Sequence, residues 1–303
     1  MWDREGAEMR RNRLAVIGSA LVLASALAAG TAAGGAGGSP AAPAAVAPPP
    51  PTDADDFAPE LFDATSATID NPFLPLPPGT RWVWRGRAFE DGQRVERKVI
   101  FTVTDLTKVV AGVRTRVGWD RDFNDGVLGE GELIFLAQDI YGNVWHLGQY
   151  RETFDEEEFV GGRVWVVGDP VGAEAGLMML ADHEVGDTYS QGFAPPPWNW
   201  DDHARVIAVG EHTCVPVGCF DDVLVVKEFE PTKPGAYQLK YYAPGVGNVR
   251  VGWGGRNEEE REVMVLVKWF ELTPEALAAA RERALEMEHR AYAYGRTDPA
   301  EPG

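Results

Sequence analysis

Val113-Arg114-Thr115-Arg116-Val117-Gly118-Trp119-Asp120, followed by Arg121-Asp122-Phe123-Asn124-Asp125-Gly126, decides the fold class. Val113, Thr115, Val117 and Trp119 alternate with Arg114, Arg116, Gly118 and Asp120. Successive side chains of a strand point to opposite faces, so this is the pattern of a half-buried antiparallel strand. Asn-Asp-Gly then supplies the residues that tolerate a tight hairpin turn, and Leu133-Ile134-Phe135 supplies the returning strand. The same grammar recurs on both sides. Trp82 and Trp84 share a face opposite Arg81, Val83 and Arg85, and Val99, Phe101 and Val103 alternate with Lys98, Ile100 and Thr102. Glu90-Asp91-Gly92, Tyr141-Gly142-Asn143, Gly161-Gly162 and Pro234-Gly235 are further expected turns. About a dozen strands are expected over residues 56–272, at the spacing of a sandwich, barrel or meander. No helical period interrupts them, which excludes a parallel βαβ architecture. The predicted class is mainly β: one large curled antiparallel sheet, half-barrel or barrel-like, with a C-terminal helix.

Val263-Met264-Val265-Leu266-Val267-Lys268-Trp269-Phe270 is apolar on both faces, so it is expected to be covered on both sides. The cover is expected to be the helix that follows, over 273–295. Thr273-Pro274-Glu275 combines an N-cap, a first-turn proline and an acid near the positive helix end. Leu277, Ala280, Ala284, Met287, Ala291 and Tyr294 form one apolar stripe. A dimerisation helix is the alternative. Residues 296–303 read as a disordered tail.

The chain has 303 residues, with 28 Lys plus Arg against 47 Asp plus Glu, a formal charge of −19. At 45% hydrophobic and 10% aromatic it is not a disordered acidic chain. The negative charge argues against nucleic acid as a partner. Arg10-Arg11-Asn12-Arg13, an apolar run from Leu14 to Ala29 and Ala26-Leu27-Ala28 together describe a secretory signal over 1–33. An uncleaved anchor is the alternative, although the apolar run is shorter than the ~20 residues that span a bilayer. Leu27-Ala28-Ala29 resembles the start of a lipobox, but Gly30 stands where the acylated cysteine belongs, so no lipid anchor is expected. Residues 34–55, rich in Gly, Ala and Pro, read as a flexible tether. Removing residues 1–33 takes away four arginines and three acids and leaves a charge of −20.

Cys214 and Cys219 bracket Val-Pro-Val-Gly. In an exported chain the pair is expected to form a disulfide across a hairpin. His212 nearby raises a metal question that oxidised cysteines answer poorly. Asp120, Asp122 and Asn124 have the first spacings of a calcium loop, with Glu130 and Glu132 beyond them. The glycine falls at the wrong place and no helices flank the segment, so a hairpin is favoured. Asp182-His183 and Asp202-His203 are the densest His-carboxylate clusters and could jointly ligate a divalent metal as a hydrolase. Trp198 and Trp200, after a triple proline, could form a ligand platform or plug a barrel end, with the plug favoured. Trp82 and Trp84 are the other candidate ligand-binding residues. No catalytic motif is present: the sequence lacks Gly-x-Ser-x-Gly, His-Glu-x-x-His, a phosphate loop and a dinucleotide fingerprint. No cofactor is implied.

Three stretches carry a resemblance. They are Asp70-Asn71-Pro72-Phe73-Leu74-Pro75-Leu76-Pro77-Pro78-Gly79-Thr80-Arg81-Trp82, Leu136-Ala137-Gln138-Asp139-Ile140-Tyr141-Gly142-Asn143-Val144-Trp145-His146-Leu147-Gly148, and Val215 to Leu224 leading to Tyr241-Tyr242-Ala243-Pro244-Gly245-Val246-Gly247. Over roughly residues 70–252 the chain resembles a family of bacterial secreted proteins and lipoproteins without assigned activity. More loosely, it is similar to periplasmic half-barrels of the lipoprotein-carrier type. The resemblance implies a β-rich fold and an extracytoplasmic compartment, and it offers no catalytic residues. The family hairpin usually lacks a cysteine pair. The leading expectation is a non-catalytic envelope protein that holds a small apolar or amphipathic ligand on its concave face. A metal-dependent hydrolase and a purely structural or interaction protein are the alternatives.

Overall fold

The alternating segments become strands joined mostly by hairpins. A computed structural model describes residues 51, 56–90, 92–156, 158–196, 198–293 and 300–302, all within the unit Pro48–Gly303. The expected signal (1–33), nearly all of the tether (34–55) and helix position Tyr294 lie outside the described residues.

The strands are β1 (Thr80–Glu90), β2 (Gln93–Val110), β3 (Val113–Asn124), β4 (Val127–Gln138), β5 (Val144–Asp155), β6 (Glu158–Val166), β7 (Gly176–Met179), β8 (Thr188–Ala194), β9 (Trp200–Val215), β10 (Gly218–Phe229), β11 (Tyr237–Ala243), β12 (Gly247–Gly254) and β13 (Val263–Glu271). Helix α1 (Pro274–Ala291) and a short β14 (Glu301–Pro302) follow. One antiparallel sheet runs β6-β5-β4-β3-β2-β1-β13-β12-β11-β10-β9-β8. It curls until its ends meet. β7 pairs with the first half of β5, and Glu174, just ahead of β7, exchanges backbone hydrogen bonds of 2.8 and 3.2 Å with Phe193 of β8. The result is barrel-like and nearly closed.

The β3–β4 hairpin turns at Asp125 (φ 50°) and Gly126 (φ 90°), the left-handed pair that a two-residue hairpin loop demands. Gly161 and Gly162 do not form the expected turn. They lie inside β6 opposite Thr153 and Glu152, and the chain reverses earlier, between Asp155 and Glu158. The three stretches that carry the family resemblance meet in space. The buried Asn71 amide donates to the carbonyls of Gly142 and Leu180, both at 2.9 Å, and the Gly245 N–H donates to Pro72 at 2.7 Å. Asp139 takes hydrogen bonds from the backbone of Tyr141 and Asn143 and from the Trp145 indole, each 2.9 Å. These motifs hold the fold together.

β13 departs from expectation. Met264 and Leu266 are buried, but Trp269 and Phe270 are 44% and 43% exposed. β12 pairs with β13 only at Arg250–Val265 and Val251–Met264, after which the strands diverge. Trp82 and Trp84 reach across the split. Their indole N–H groups donate to the carbonyls of Val246 (2.8 Å) and Asn248 (2.9 Å) at the start of β12. The tryptophans thus serve backbone acceptors at the parting of the ladder. Replacing Trp82 by Phe leaves the buried Val246 carbonyl without its donor, at a cost of about 1–3 kcal/mol. A lower urea midpoint with unchanged slope is the expected reading.

Thr273 caps α1 through its side-chain oxygen, which accepts the Ala276 N–H at 3.3 Å. Ala280, Ala284, Met287 and Ala291 are buried as the stripe requires. The helix does not cover β13. It packs on β2, β4 and β6, and three charged pairs tie it to β2 and β5. Arg281 grips Asp105, Arg290 grips Glu152 through Nε and one Nη, and Lys108 meets Glu288 at 2.8 Å with both side chains almost fully buried. Of residues 296–303, 300–302 are described. Residues 301 and 302 pair with Thr107 and Leu106, and the Ala300 N–H donates to Glu288 at 2.8 Å. Among the described residues no helix is long and apolar enough to cross a membrane.

Candidate functional site

The inner-facing row of β8–β11 builds the site. Tyr189 pairs with Ala204, Ala204 with Glu228, and Glu228 with Gln238. Cross-strand partners share a face, so these four side chains stand in one line. Ala204 is fully buried and small, which lets Tyr189 and Glu228 approach each other over it. Glu228 is the hub. It accepts from the Gln191 amide at 3.2 Å and the Tyr242 hydroxyl at 3.4 Å, and the Lys240 ammonium lies 3.6 Å away. Burial, with Glu228 next in effect, pushes the Tyr189 phenol upward, and the Tyr242 phenol is raised for the same reasons. The Tyr189 hydroxyl is buried and has no hydrogen-bond partner among the described residues.

Glu228 and Gln238 open into a groove of about 610 Å3 at the end of these strands. Its walls carry six carboxylates, Asp202, Glu228, Glu230, Glu258, Glu259 and Glu260, against one lysine, Lys233. Like charges gathered beside a low-dielectric wall raise one another's pKa. Asp202 is pushed up to about 6, first by burial and then by Glu228 and Glu230, against the hydrogen bond from the Trp200 indole. Glu260 is raised by burial and by Glu262. Lys233 is held charged by its 2.6 Å bond to Glu230. Phe229 and Tyr237 also border the groove, and on the other face of the strands their rings meet the Lys227 side chain. Lys227 Nζ lies 4.3 Å from the Tyr237 ring centre and 5.1 Å from that of Phe229.

The polar floor continues inward. The Gln238 amide donates to Glu262 at 3.1 Å, and Arg97 bonds the other Glu262 oxygen at 3.1 Å. Arg97 also pairs with Asp122 and donates to Asn124 at 2.8 Å. Asp120, Asp122 and Asn124 therefore lie on one face of a regular strand, and a guanidinium engages two of them. Opposite Asp120 and Asp122 stand Glu132 and Glu130. Burial raises Asp120 well above the usual carboxylate range, with Glu132 and Asp122 adding to it. Burial likewise brings Glu132 to about 7, against the Arg151 guanidinium 3.4 Å away.

The other predicted residues are dispersed. Trp82 and Trp84 are buried at the β12–β13 split, and with Phe101, Val251 and Leu266 they belong to the main core. The inner face where a ligand was expected carries the protein's own indoles. Trp200 packs on Trp165 and His146 at 4.9 and 5.1 Å, and with Trp198, Ala173 and Ala194 it belongs to a small second core. His183 contacts Met179 Sδ at 3.1 Å and the edge of Phe73, whereas Asp182 borders a separate cavity of about 380 Å3. Asp202 faces the acidic groove. His203 bonds Asp201 at 2.9 Å and lies against Phe229. No three of the ligand atoms of Asp182, His183, Asp202 and His203 come within 4.8 Å of one another. Among the described residues the group that does is His212, Cys214 and Cys219. Its two sulfurs are joined as the expected disulfide, directly across the β9–β10 hairpin.

Sequence reasoning missed Tyr189, Glu228, Glu230 and Glu258–Glu260. The signal available was the acidic run Glu258-Glu259-Glu260 and the alternation Glu228-Phe229-Glu230. Each alone reads as a solvated loop or strand end.

No family model and no curated protein matches the chain. Two solved structures align loosely. One is described as an exported protein with a YmcC-like fold from Bacteroides fragilis, with TM-score 0.39, 14% identity, and coverage of 66% of this chain and 100% of that one. The other is described as a lipoprotein from Parabacteroides distasonis, with TM-score 0.36, 14% identity, and coverage of 66% and 99%. Superpositions this loose carry no inference about activity.

Proposed function

We propose that this chain is an exported, non-catalytic binding protein that takes a cationic ligand in the acidic groove between Glu228 and Glu258–Glu260. The observation that carries the reading is the set of six groove carboxylates against Lys233 on the walls and Lys240 beside Glu228, with Asp202 raised to about 6 by burial and its acidic neighbours. A cation entering the groove relieves that repulsion. Phe229 and Tyr237 add apolar surface, which suits an amphipathic cation. Export is supported by the amino-terminal signal pattern and by the Cys214–Cys219 disulfide, a bond of oxidising compartments.

The sign of the pH dependence follows from Asp202. It is ionised above about pH 6 and neutral below, so cation affinity rises from pH 5 to pH 7.5, and binding near pH 6 releases a proton. Native mass spectrometry of protein recovered from the culture medium is expected to show a bound cationic mass at pH 7.5 that is depleted at pH 5. Asp202→Asn is expected to lower affinity at pH 7.5 roughly fivefold, about 1 kcal/mol, and to flatten the dependence. A cationic ligand bound equally at both pH values by both proteins sinks the assignment to this groove.

A further inference from the structure

We propose that one face of β13, β1, β2 and β3 docks on an anionic lipid membrane. Cross-strand partners share a face, so the register defines it as three rows of four. Lys268, Val83, Ile100 and Arg121 form the middle row. Phe270, Arg81, Thr102 and Trp119 lie on one side of it, and Val265, Arg85, Lys98 and Phe123 on the other. Five of these side chains are cationic and none is acidic, in a chain with 47 Asp plus Glu. The neighbouring strands bring no acid to the rows. Arg250 of β12 stands opposite Val265, and Gly131 and Leu128 of β4 stand opposite Arg121 and Phe123. Glu96, which borders the face opposite Arg87, pairs with Arg94 at 2.7 Å. Arg85, Lys268, Arg250 and Phe270 are exposed, and Val83, Ile100, Trp119 and Arg121 are half-buried. The face shares no residue with the acidic groove, so the two readings stand or fall separately.

Among the described residues none of the five cations forms an ion pair. Two of them lie on rings instead. Lys98 Nζ is 3.8 Å from the Phe123 ring centre, and the Arg121 guanidinium carbon is 4.0 Å from that of Trp119. The cations also repel one another. Burial, then Arg85 and Arg121, lowers the Lys98 ammonium, and burial, then Arg81, brings Arg121 to about 10. Both stay charged at neutral pH, and lipid phosphates relieve the repulsion. The apolar groups between the charges favour a membrane over a soluble anion. Val83 and Ile100 occupy the centre, and Phe270 at the edge is 43% exposed. A lipid interface takes up such groups together with the basic side chains beside them. The acidic remainder of the chain is repelled by an anionic surface, so charge turns this face toward it.

The test is co-sedimentation of protein recovered from the culture medium with vesicles of phosphatidylcholine, alone or with about a third phosphatidylglycerol, at low and high salt. The parent is expected to bind the anionic vesicles at least tenfold more tightly than the neutral ones, and to lose that preference at high salt. Arg85→Ala with Lys268→Ala, two exposed positions that leave the core intact, is expected to weaken binding about tenfold. Arg283→Ala, which removes a charge from α1 away from the face, should leave binding within about twofold. All variants carry the same amino terminus, so the differences read the face. Phe270→Ser separates a membrane from a soluble polyanion. It is expected to weaken vesicle binding about threefold and to leave any binding of heparin or polyglutamate unchanged. Equal binding to the two kinds of vesicle, binding to neither, or a loss at Arg283 equal to that at Arg85 and Lys268 overturns the docking face. Heparin or polyglutamate held through Arg85 and Lys268 while vesicles are ignored assigns the face to a soluble anionic partner and overturns membrane docking.

Discussion

Lys108→Met is expected to destabilise the chain by about 3–5 kcal/mol, the cost of leaving a carboxylate buried without its cation. Lys108 and Glu288 are 1% and 2% exposed, and their side chains meet at 2.8 Å between β2 and α1. The Glu288 oxygen that takes Lys108 also takes the Ala300 N–H. The Lys108 ammonium lies 5.7 and 5.5 Å from the ring centres of Phe135 and Tyr150. Methionine keeps the length of the stem but offers Glu288 nothing. For a domain of this size the thermal midpoint should fall on the order of 10 °C. The amides of α1 should also lose hydrogen-exchange protection before those of β3 and β4. The double variant Lys108→Met, Glu288→Leu removes both charges and should recover most of the loss, since buried pairs replaced by apolar groups are often neutral. A single variant that melts with the parent would show that the pair does not anchor the helix.

Gly176→Ala is expected to cost about 3 kcal/mol or more and to open the ring at one place. A Cβ at Gly176 would lie 1.8 Å from the Gln191 carbonyl carbon and 2.0 Å from the Gly192 nitrogen. Both obstacles are backbone, so no rotamer change can clear them, and β7 must move away from β8. The paired hydrogen bonds between Glu174 and Phe193 should exchange quickly in the variant, while the hairpins of β1–β4 stay protected. Gly112→Ala is the control. Gly112 has φ 83° with open space around its Cβ position, so alanine there meets only the left-handed backbone penalty of about 1–2 kcal/mol. Equal losses at the two positions, or unchanged exchange at Glu174 and Phe193, would rule out steric closure at Gly176.

Much of the fold is legible from local chemistry. Period-two alternation places β1, β2 and β3, and Asn124-Asp125-Gly126 places a hairpin, because strand faces and turn angles depend on neighbours a few residues apart. Thr273-Pro274-Glu275 starts α1 for the same kind of reason. Cys214 and Cys219 pair because a hairpin of that length sets them opposite each other. The failures are those in which a distant element decides. Val263–Phe270 reads as a strand covered on both faces. Its second half is exposed because β12 turns away, and nothing within the segment records that. The helix stripe says that α1 packs on something, but the partners that tie it down, Asp105 and Lys108 on β2 and Glu152 on β5, are far away in sequence.

The candidate site shows the same division more sharply. Trp82, Trp84, Trp198 and Trp200 look like ligand contacts because large aromatic groups are costly to leave unused. The sequence does not say whether a ligand or the protein itself will use them. In the structure their partners are Val246, Asn248, Trp165 and Asp202. The groove carboxylates are the reverse case. They look solvated because acids in loops usually are.

The sequence by itself determined the class of the fold, the strand faces, most of the hairpins, the cap and stripe of the helix and the disulfide. Each follows from sterics or periodicity over a few residues. Only the tertiary structure decided how the sheet closes through Gly176, where α1 docks, and that Glu228, Asp202 and Glu258–Glu260 face one groove. Those outcomes depend on electrostatic and packing contacts between residues up to 180 apart in sequence, as Lys108 and Glu288 are. Such contacts leave no local pattern to read.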